Sequence, residues 1–348
     1  MDEPAAPASV HLVGSIGLPT VEDVFRVVGQ TLGPYLRRIP DGEVGGRKLW
    51  ISWQYPLLLA NPGLAPDPSG AVRPTNRFPL LRLADGVQAT DIRFGELNYA
   101  REARASYLDF VAARDRGELP KGIRFQVCLP TPFAVVSSVV VRASLAVVEA
   151  AYEGAMLGEV AMLCRHIPHH DLCIQWDLCN EMVVWDGQPT AGVPCGDEPR
   201  ERILGRMTRL CAGIPEDVDT GLHLCYGDFG GKHFVEPRDA AAMVEFANAL
   251  CMSIRRKLAY FHMPVPRGRD DDAFHSPLRE LRLSQDTELY LGVVHVQDGV
   301  EGTRKRIEAA QRYAPSFGVA TECGMARARS EETVRKLLDI HAAVCGAP

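Results

Sequence analysis

The amino-acid sequence predicts an α/β fold, a (β/α)8 TIM barrel with inserted loops. Eight short apolar segments alternate with helical segments along the 348 residues. Near-continuous apolar strands are typical of parallel sheets that are buried on both faces, and eight βα units are the number in a TIM barrel. A doubly wound open sheet is the main alternative, but no Gly-x-Gly-x-x-Gly turn follows the first strand.

The predicted strands are bounded by Gly, Pro or Asp turns. They are 11–15, 35–39, 123–128, 171–177, 219–225, 258–262, 289–296 and 317–321. Thr20 is expected to cap a first helix that starts at Val21. The other helices are predicted near 99–115, 142–166, 200–212, 237–251, 276–283, 301–312 and 330–345. The segment 142–166 has the strongest helical pattern.

The chain is expected to form one domain over 10–348, after a disordered lead at 1–9. Residues 60–90 are rich in Pro, Gly and Asp and are predicted to form a long insertion loop. A helix is expected to begin near Arg47, with Trp50 on its apolar side, and 91–95 is a candidate extra strand.

Composition excludes several classes of function. The net charge of −6 gives no electrostatic basis for binding nucleic acid or an anionic membrane. The N-terminal segment lacks the basic and apolar regions of a signal peptide. Ten cysteines are scattered through mostly apolar segments, which suits reduced, buried thiols. We therefore expect a cytoplasmic protein with no membrane span.

In a TIM barrel the active site is built at the C-terminal ends of the strands, and here those ends are unusually polar. They carry Ser15, Asp41, Glu43, Asp177, Asn180, Glu181, His223, Cys225, His262, His295, Gln297, Glu322 and Cys323. The clearest pair is His223 and Cys225, which lie two residues apart and therefore point to the same face of a strand.

An imidazole and a thiolate that converge are suitable ligands for Zn²⁺. Alone, the pair is equally well explained as a buried thiol and a hydrogen-bonded histidine. If the barrel forms, Cys323 and His262 arrive at the same axis. Three protein ligands with an open position indicate a catalytic zinc, whereas four closed ligands indicate a structural one.

The chain resembles a known family through an ordered set of motifs, about one per strand. They are Gly14-Ser15, Pro19-Thr20, Asp41-Gly-Glu43, Ile174-Gln-Trp-Asp177, His223-Leu-Cys-Tyr226, Gly292-Val293 and Glu322-Cys-Gly324. The set is similar to the catalytic barrel of cobalamin-independent methionine synthase, in the superfamily shared with uroporphyrinogen decarboxylase. The resemblance covers about residues 10–330 and implies a short, single-barrel member.

The resemblance implies a zinc ion held by His223, Cys225 and Cys323, which binds the sulfur of homocysteine as a thiolate. Glu43 and Asp177 stand where family carboxylates hold the amino group of the substrate. Ser15 stands where the turn after the first strand contacts the substrate carboxylate. The chemistry is consistent, because a thiol of pKa about 8.5 is a weak nucleophile until a metal stabilises its thiolate.

The sequence departs from the family at two strand ends. His262 stands where the family has a glutamate ligand, so His262 is a candidate fourth ligand. Gln297 stands where the family has a histidine that relays protons, and His295, two residues earlier, is the candidate relay because it would titrate near neutral pH. The methyl donor, folate or corrinoid, stays open. Tyr226 is a candidate for a hydrogen bond to the substrate.

We therefore expect a zinc-dependent methyl or alkyl transferase acting on a homocysteine-like amino thiol. The alternatives are another zinc-dependent reaction in the same barrel, such as a lyase or hydrolase step, or a barrel whose zinc is not catalytic. A tetrapyrrole decarboxylase would need several arginines clustered at the barrel mouth. The remaining thiols, including that of Cys179, are most simply core or surface groups.

Overall fold

The computed structural model describes residues 7, 9–73, 78–187, 198–228 and 230–346. Most of the segment predicted as a disordered lead, 1–9, lies outside the described residues. Within them the chain forms nine strands. They are β1 Arg38–Pro40, β2 Leu64–Pro66, β3 Leu81–Leu83, β4 Arg124–Pro130, β5 Leu172–Leu178, β6 Asp219–Leu224, β7 Tyr260–Pro264, β8 Glu288–Val294 and β9 Gly318–Thr321.

Seven of these strands form one parallel sheet in the order β1-β4-β5-β6-β7-β8-β9. Its two edges meet at Val10, which pairs in parallel with Leu36, just before β1, and with Val319 in β9. The backbone N–H of His11 donates to the carbonyl of Val319, and that of Val10 donates to the carbonyl of Tyr35. The segment predicted as the first strand, 11–15, is not a strand, and a single-residue bridge at the preceding Val10 joins the edges instead. The prediction of a TIM barrel is confirmed.

Eleven α-helices surround the sheet in the described part of the chain. They are α1 Val21–Leu32, α2 Tyr55–Leu59, α3 Tyr99–Asp115, α4 Pro132–Val139, α5 Arg142–His166, α6 Asn180–Asp186, α7 Arg200–Ala212, α8 Ala241–Ser253, α9 Asp272–His275, α10 Gly299–Gln311 and α11 Glu331–Cys345. Thr20 caps α1, its side-chain oxygen accepting from the N–H of Asp23. None of the helices so described is long and apolar enough to cross a membrane.

Two local predictions were wrong, and the predicted insertion contains a short strand pair. The segment 91–95 forms no strand, and a short 3-10 helix, Ala89–Asp91, precedes it. The segment 60–90 contains the antiparallel pair β2–β3. The helix expected near Arg47 is two 3-10 turns followed by α2, because Trp50 has a φ of 57° and interrupts the helical path. The sequence prediction also missed α4, whose eight residues are all buried and so show no polar face.

The inside of the barrel carries a polar layer. His11 Nε2 lies 3.0 Å from Oε1 of Gln175 on β5, and the hydroxyl of Tyr260 on β7 donates to the same oxygen at 2.9 Å. Gly221 on β6 pairs with both Gln175 and Tyr260. The glycine leaves the space that the Tyr260 ring occupies, since a Cβ there would overlap the ring. The next inward row, nearer the mouth, is Asp177, His223 and His262.

Candidate metal centre and substrate cavity

Three buried side chains meet at the C-terminal end of the sheet. His223 lies in β6, Cys225 follows that strand, and Cys323 follows β9. Their ligand atoms all lie within 4.8 Å of one another, and the two sulfur atoms are 3.7 Å apart. Strand periodicity brings His223 and Cys225 to one face, and barrel closure brings Cys323 to them.

Hydrogen bonds fix the protonation of His223. Nε2 of His262 lies 3.0 Å from the carbonyl oxygen of Thr321, which can only accept, so that nitrogen carries the hydrogen. Burial lowers the pKa of His262 to about 3, so its Nδ1 is an acceptor. Nδ1 of His223 is 2.7 Å away and must donate. Burial also lowers the pKa of His223, and the neutral ring therefore keeps its lone pair on Nε2.

That Nε2 atom is buried and has no hydrogen-bond partner among the described residues. A buried polar atom without a partner is costly, and such an atom needs an explanation. The neighbouring sulfurs supply one, because His Nε2 and two thiolates are donors that Zn²⁺ prefers. Two thiolates of a tetrahedral zinc site lie about 3.8 Å apart, close to the observed 3.7 Å. The three side chains therefore fit a zinc ion.

Hydrogen bonds from neighbouring residues hold the two cysteines in place. The N–H of Gly227 donates to the sulfur of Cys225 at 3.2 Å, a bond that favours a thiolate. The hydroxyl of Thr321 donates to the carbonyl of Cys323 at 2.7 Å. Since the carbonyl of Thr321 also binds His262, one chain of hydrogen bonds connects the segment of Cys323 to His223.

Cys179 is a third thiol that the sequence interpretation assigned to the core. It directly follows β5 and forms a buried cluster with Cys225 and Cys323. A hydrogen bond with Cys179 is the main cause that raises the pKa of Cys225, and a hydrogen bond with Cys225 is the main cause for Cys323. Cys179 is not among the three residues whose ligand atoms lie within 4.8 Å of one another. Its position two residues after Asp177 was a sequence signal that its thiol lies near the site.

A cavity that is partly open to solvent lies beside these thiols. Its lining comprises Val13, Gly14, Ser15, Glu43, Trp50, Asp177, Cys179, His223, Cys225, Gly227, Asp228, Phe234, Cys323, Gly324 and Arg327. Six residues predicted from strand ends are thus brought together: Ser15, Glu43, Asp177, His223, Cys225 and Cys323.

Glu43 and Asp177 are two of the three carboxyl residues in the described lining of the cavity, the third being Asp228. Glu43 has a φ of 47° in the turn after β1, and its N–H donates to Asp41 at 2.9 Å, so the turn holds Glu43 in a left-handed conformation. Asp177 accepts from Gln175 at 2.7 Å and from the indole of Trp50 at 3.2 Å. Burial is the main cause that raises the pKa of each carboxyl to about 8.

Three predicted site residues do not line this cavity. Both ring nitrogens of His262 are engaged by His223 and Thr321. The hydroxyl of Tyr226 points away, donating to Asp186 at the end of α6 at 2.7 Å. Nε2 of His295 lies 2.9 Å from the carbonyl of Val265.

The structure also changes the basis for a proton-relay role of His295. Burial lowers the pKa of His295 to about 3, so the expectation that it titrates near neutral pH is wrong. Its Nδ1 lies 3.5 Å from a carboxyl oxygen of Glu322, whose other oxygen lies 3.4 Å from Nε2 of His233. Glu322 therefore lies between the rings of His295 and His233.

Sequence interpretation missed Trp50, Asp228 and Arg327 as cavity residues. Trp50 was assigned to the apolar side of a helix, whereas its indole N–H binds Asp177. Asp228 is buried at the end of the segment that starts with His223. Arg327 follows Cys323 by four residues, and this spacing after a candidate ligand was the available signal.

The chain is similar to many solved structures, and two of them are matched over nearly their whole length. The chain is similar to a protein of Listeria monocytogenes assigned as a vitamin-B12-independent methionine synthase, with a TM-score of 0.59 and 12% identity over 99% of this chain and 100% of that one. It is also similar to a B12-independent methionine synthase from Shewanella sp. W3-18-1 in complex with selenomethionine, with a TM-score of 0.59 and 14% identity over 98% and 96% of the two chains. The chain has the methionine synthase barrel fold.

These matches confirm the resemblance at the level of the fold. No protein-family model matches the chain, and no curated protein matches it. At 12–14% identity the agreement concerns architecture, so the chemistry of the site depends on the residues described above.

Proposed function

We propose that the protein is a zinc-dependent enzyme that transfers a methyl or other alkyl group to the sulfur of an amino thiol similar to homocysteine. The observation that carries the proposal is the unpartnered, buried Nε2 of His223 beside the sulfurs of Cys225 and Cys323. In this proposal those three residues are the protein ligands, and the fourth position faces the cavity.

His262 has a supporting role in the proposal, not the role of a ligand. It takes the hydrogen bond from Nδ1 of His223 and thereby fixes the tautomer that presents Nε2. Metal-binding histidines commonly have such a partner on their other nitrogen, and the partner sets ring orientation and basicity. This assigns a function to the histidine that stands where the resembled family has a glutamate.

The substrate would bind with its sulfur towards the sulfur atoms of Cys225 and Cys323. A bound Zn²⁺ supplies thiolate character to that sulfur at neutral pH. Glu43 and Asp177 would hold the ammonium group by charge-assisted hydrogen bonds. Ser15 lines the same cavity. The substrate sulfur then forms a bond to the alkyl carbon while the donor–carbon bond breaks, and the donor leaves with the electron pair.

Two lines of observation support methyl transfer over other reactions of a barrel zinc. The fold is that of structures assigned as B12-independent methionine synthases, and the Shewanella protein holds selenomethionine, the selenium analogue of a methylated thiol product. The cavity also pairs acidic groups with a candidate thiol-binding metal, as an amino thiol requires. A folate or a corrinoid remains the candidate donor, and no residue of the cavity selects between them.

A second candidate, a barrel with a closed structural zinc, is favoured by one observation. Cys179 lies in the same buried cluster as Cys225 and Cys323, and three cysteines with one histidine form a common structural zinc site. In that case the metal would bind no exogenous thiol. A lyase or hydrolase step at the same metal is not favoured by any residue of the cavity.

The test is an assay of zinc-loaded protein with homocysteine and either methyltetrahydrofolate or methylcobalamin, with methionine measured by mass spectrometry. We expect methionine with one donor and none from Cys323→Ala, whereas Cys345→Ala, a buried cysteine of α11, should retain zinc and activity. Stoichiometric zinc without any product, and without a change in melting temperature on addition of homocysteine, would support the structural zinc instead.

A further inference from the structure

Arg327 is the one cationic side chain in the described lining of the cavity. It follows Cys323 by four residues, and its Nη2 lies 3.7 Å from the sulfur of Cys323. Its Nε is buried and has no hydrogen-bond partner in the part of the chain that the structure describes. A guanidinium offers five donors in a planar fork, so this side chain has unused hydrogen-bonding capacity.

The neighbouring Arg329 shows a different arrangement. It lies 3.4 Å from a carboxyl oxygen of Asp228 and donates to the carbonyl of Gly324 at 3.0 Å. Arg329 is therefore engaged in holding its own loop. Arg327 makes no comparable ion pair in the described structure, although Asp228, Glu43 and Asp177 all line the same cavity.

The loop that carries Arg327 contacts the segment that carries Ser15. The N–H of Met325 donates to the carbonyl of Ser15 at 2.6 Å. Gly324 packs against the Ser15 hydroxyl, where a Cβ would overlap it. These contacts fix the start of the Arg327 loop against Ser15, so a cationic group and a hydroxyl are available on connected segments.

We propose that Arg327 anchors a carboxylate of the thiol substrate and so selects short thiol acids. The inference rests on the proposed function, because it takes the substrate sulfur to lie beside Cys225 and Cys323. Arg327 lies against the sulfur of Cys323. A carboxylate bound to Arg327 would therefore be only a few bonds from the substrate sulfur. Glu43 and Asp177 hold the amino group in the same cavity, so the preferred ligand carries a thiol, an acid and an amine.

The test is calorimetric binding of four thiols to the zinc-loaded protein. Homocysteine carries an acid and an amine, 3-mercaptopropionate only the acid, cysteamine only the amine, and 2-mercaptoethanol neither. We expect Arg327→Gln to weaken the two acids about 10- to 100-fold, the range for losing a charge-assisted bond, and to leave the other two within about twofold. Arg327→Lys should recover part of the loss, since it restores the charge without the fork.

The matched control is Arg335→Gln, which removes the same charge from an ion pair with Glu331 on the surface of α11 and should change no affinity. If Arg327→Gln weakened the binding of all four thiols equally, the proposal would be overturned. Arg327 would then act by stabilising the thiolates of Cys225 and Cys323. Equal binding of acid and neutral thiols by the unmodified protein would also overturn it while leaving the proposed function intact. Binding of no thiol at all would instead reject the proposed function.

Discussion

Nδ1 of His223 and Nδ1 of His262 lie 2.7 Å apart inside the barrel. The two residues pair across β6 and β7, so parallel-strand register places the rings side by side. Because His262 donates its own N–H to Thr321, the contact can form only if His223 donates. The direction of one hydrogen bond thus decides which nitrogen of His223 is free for a metal.

The first prediction concerns His262. His262→Phe should lower zinc affinity about 10- to 100-fold, the usual effect of losing the hydrogen-bond partner of a metal-binding histidine, because His223 is no longer held in the required tautomer. His341 of α11 offers a matched control, since it is also fully buried and bonds a backbone carbonyl. His341→Phe should change stability without changing zinc affinity, as measured by competition with a chelator. An unchanged affinity in His262→Phe would contradict the supporting role.

The second prediction concerns protons released on metal binding. Hydrogen bonding with Cys179 and burial raise the pKa of Cys225, and hydrogen bonding with Cys225 and burial raise that of Cys323. Both are therefore thiols at pH 7 without metal, and binding Zn²⁺ should release about one proton from each. Calorimetry in buffers of different ionisation enthalpy measures this number. Cys323→Ser should reduce it by about one, and release of no protons would exclude both thiolates as ligands.

The third prediction concerns stability of the metal-free protein against pH. Burial raises the pKa of Glu43 and of Asp177 to about 8, above the ordinary values of 4.5 and 3.8. The folded state then binds more protons than the unfolded state between about pH 4 and 8, so the free energy of unfolding should fall as pH rises through that window. Glu43→Gln should reduce this slope in urea titrations. Glu331→Gln, on the surface of α11, should leave it unchanged, and a slope unaffected by Glu43→Gln would contradict the assignment.

The fourth prediction tests the packing inside the barrel. Gly221→Ala places a methyl group where the Tyr260 ring stands, so it should destabilise the protein by about 1–3 kcal/mol, as overpacked core substitutions do. Gly154 in α5 has open space around its Cα, so Gly154→Ala should stabilise by about 0.5–1 kcal/mol. Chemical denaturation of both variants measures the difference. A neutral Gly221→Ala would mean that the ring lies elsewhere.

Much of the fold was predictable from local pattern. The bounds of α3 and α5 agree with the segments predicted as 99–115 and 142–166, because both are long segments rich in strong helix formers such as Ala, Glu, Leu and Arg. The first strand was harder to predict in detail, since it is reduced to Val10, which pairs with both edges of the sheet. Such pairing depends on barrel closure, and no local pattern encodes it.

The site was predictable where strand ends supply the chemistry. His223 and Cys225 share a strand, so their convergence follows from its two-residue period. Cys179 and Arg327 were missed because they lie in the loops after β5 and β9, where the only sequence signal was their spacing from Asp177 and Cys323. The role of His262 was also hidden, since only the bond to Thr321 shows that its second nitrogen is already used.

The most direct test of the account is the sulfur coordination of the bound metal, measured by zinc K-edge X-ray absorption with and without homocysteine. The account predicts two sulfur ligands and one histidine nitrogen in the resting protein, and three sulfur ligands once homocysteine is added. Three sulfurs in the resting protein, unchanged by homocysteine and reduced by Cys179→Ala, would contradict a thiol-activating zinc site.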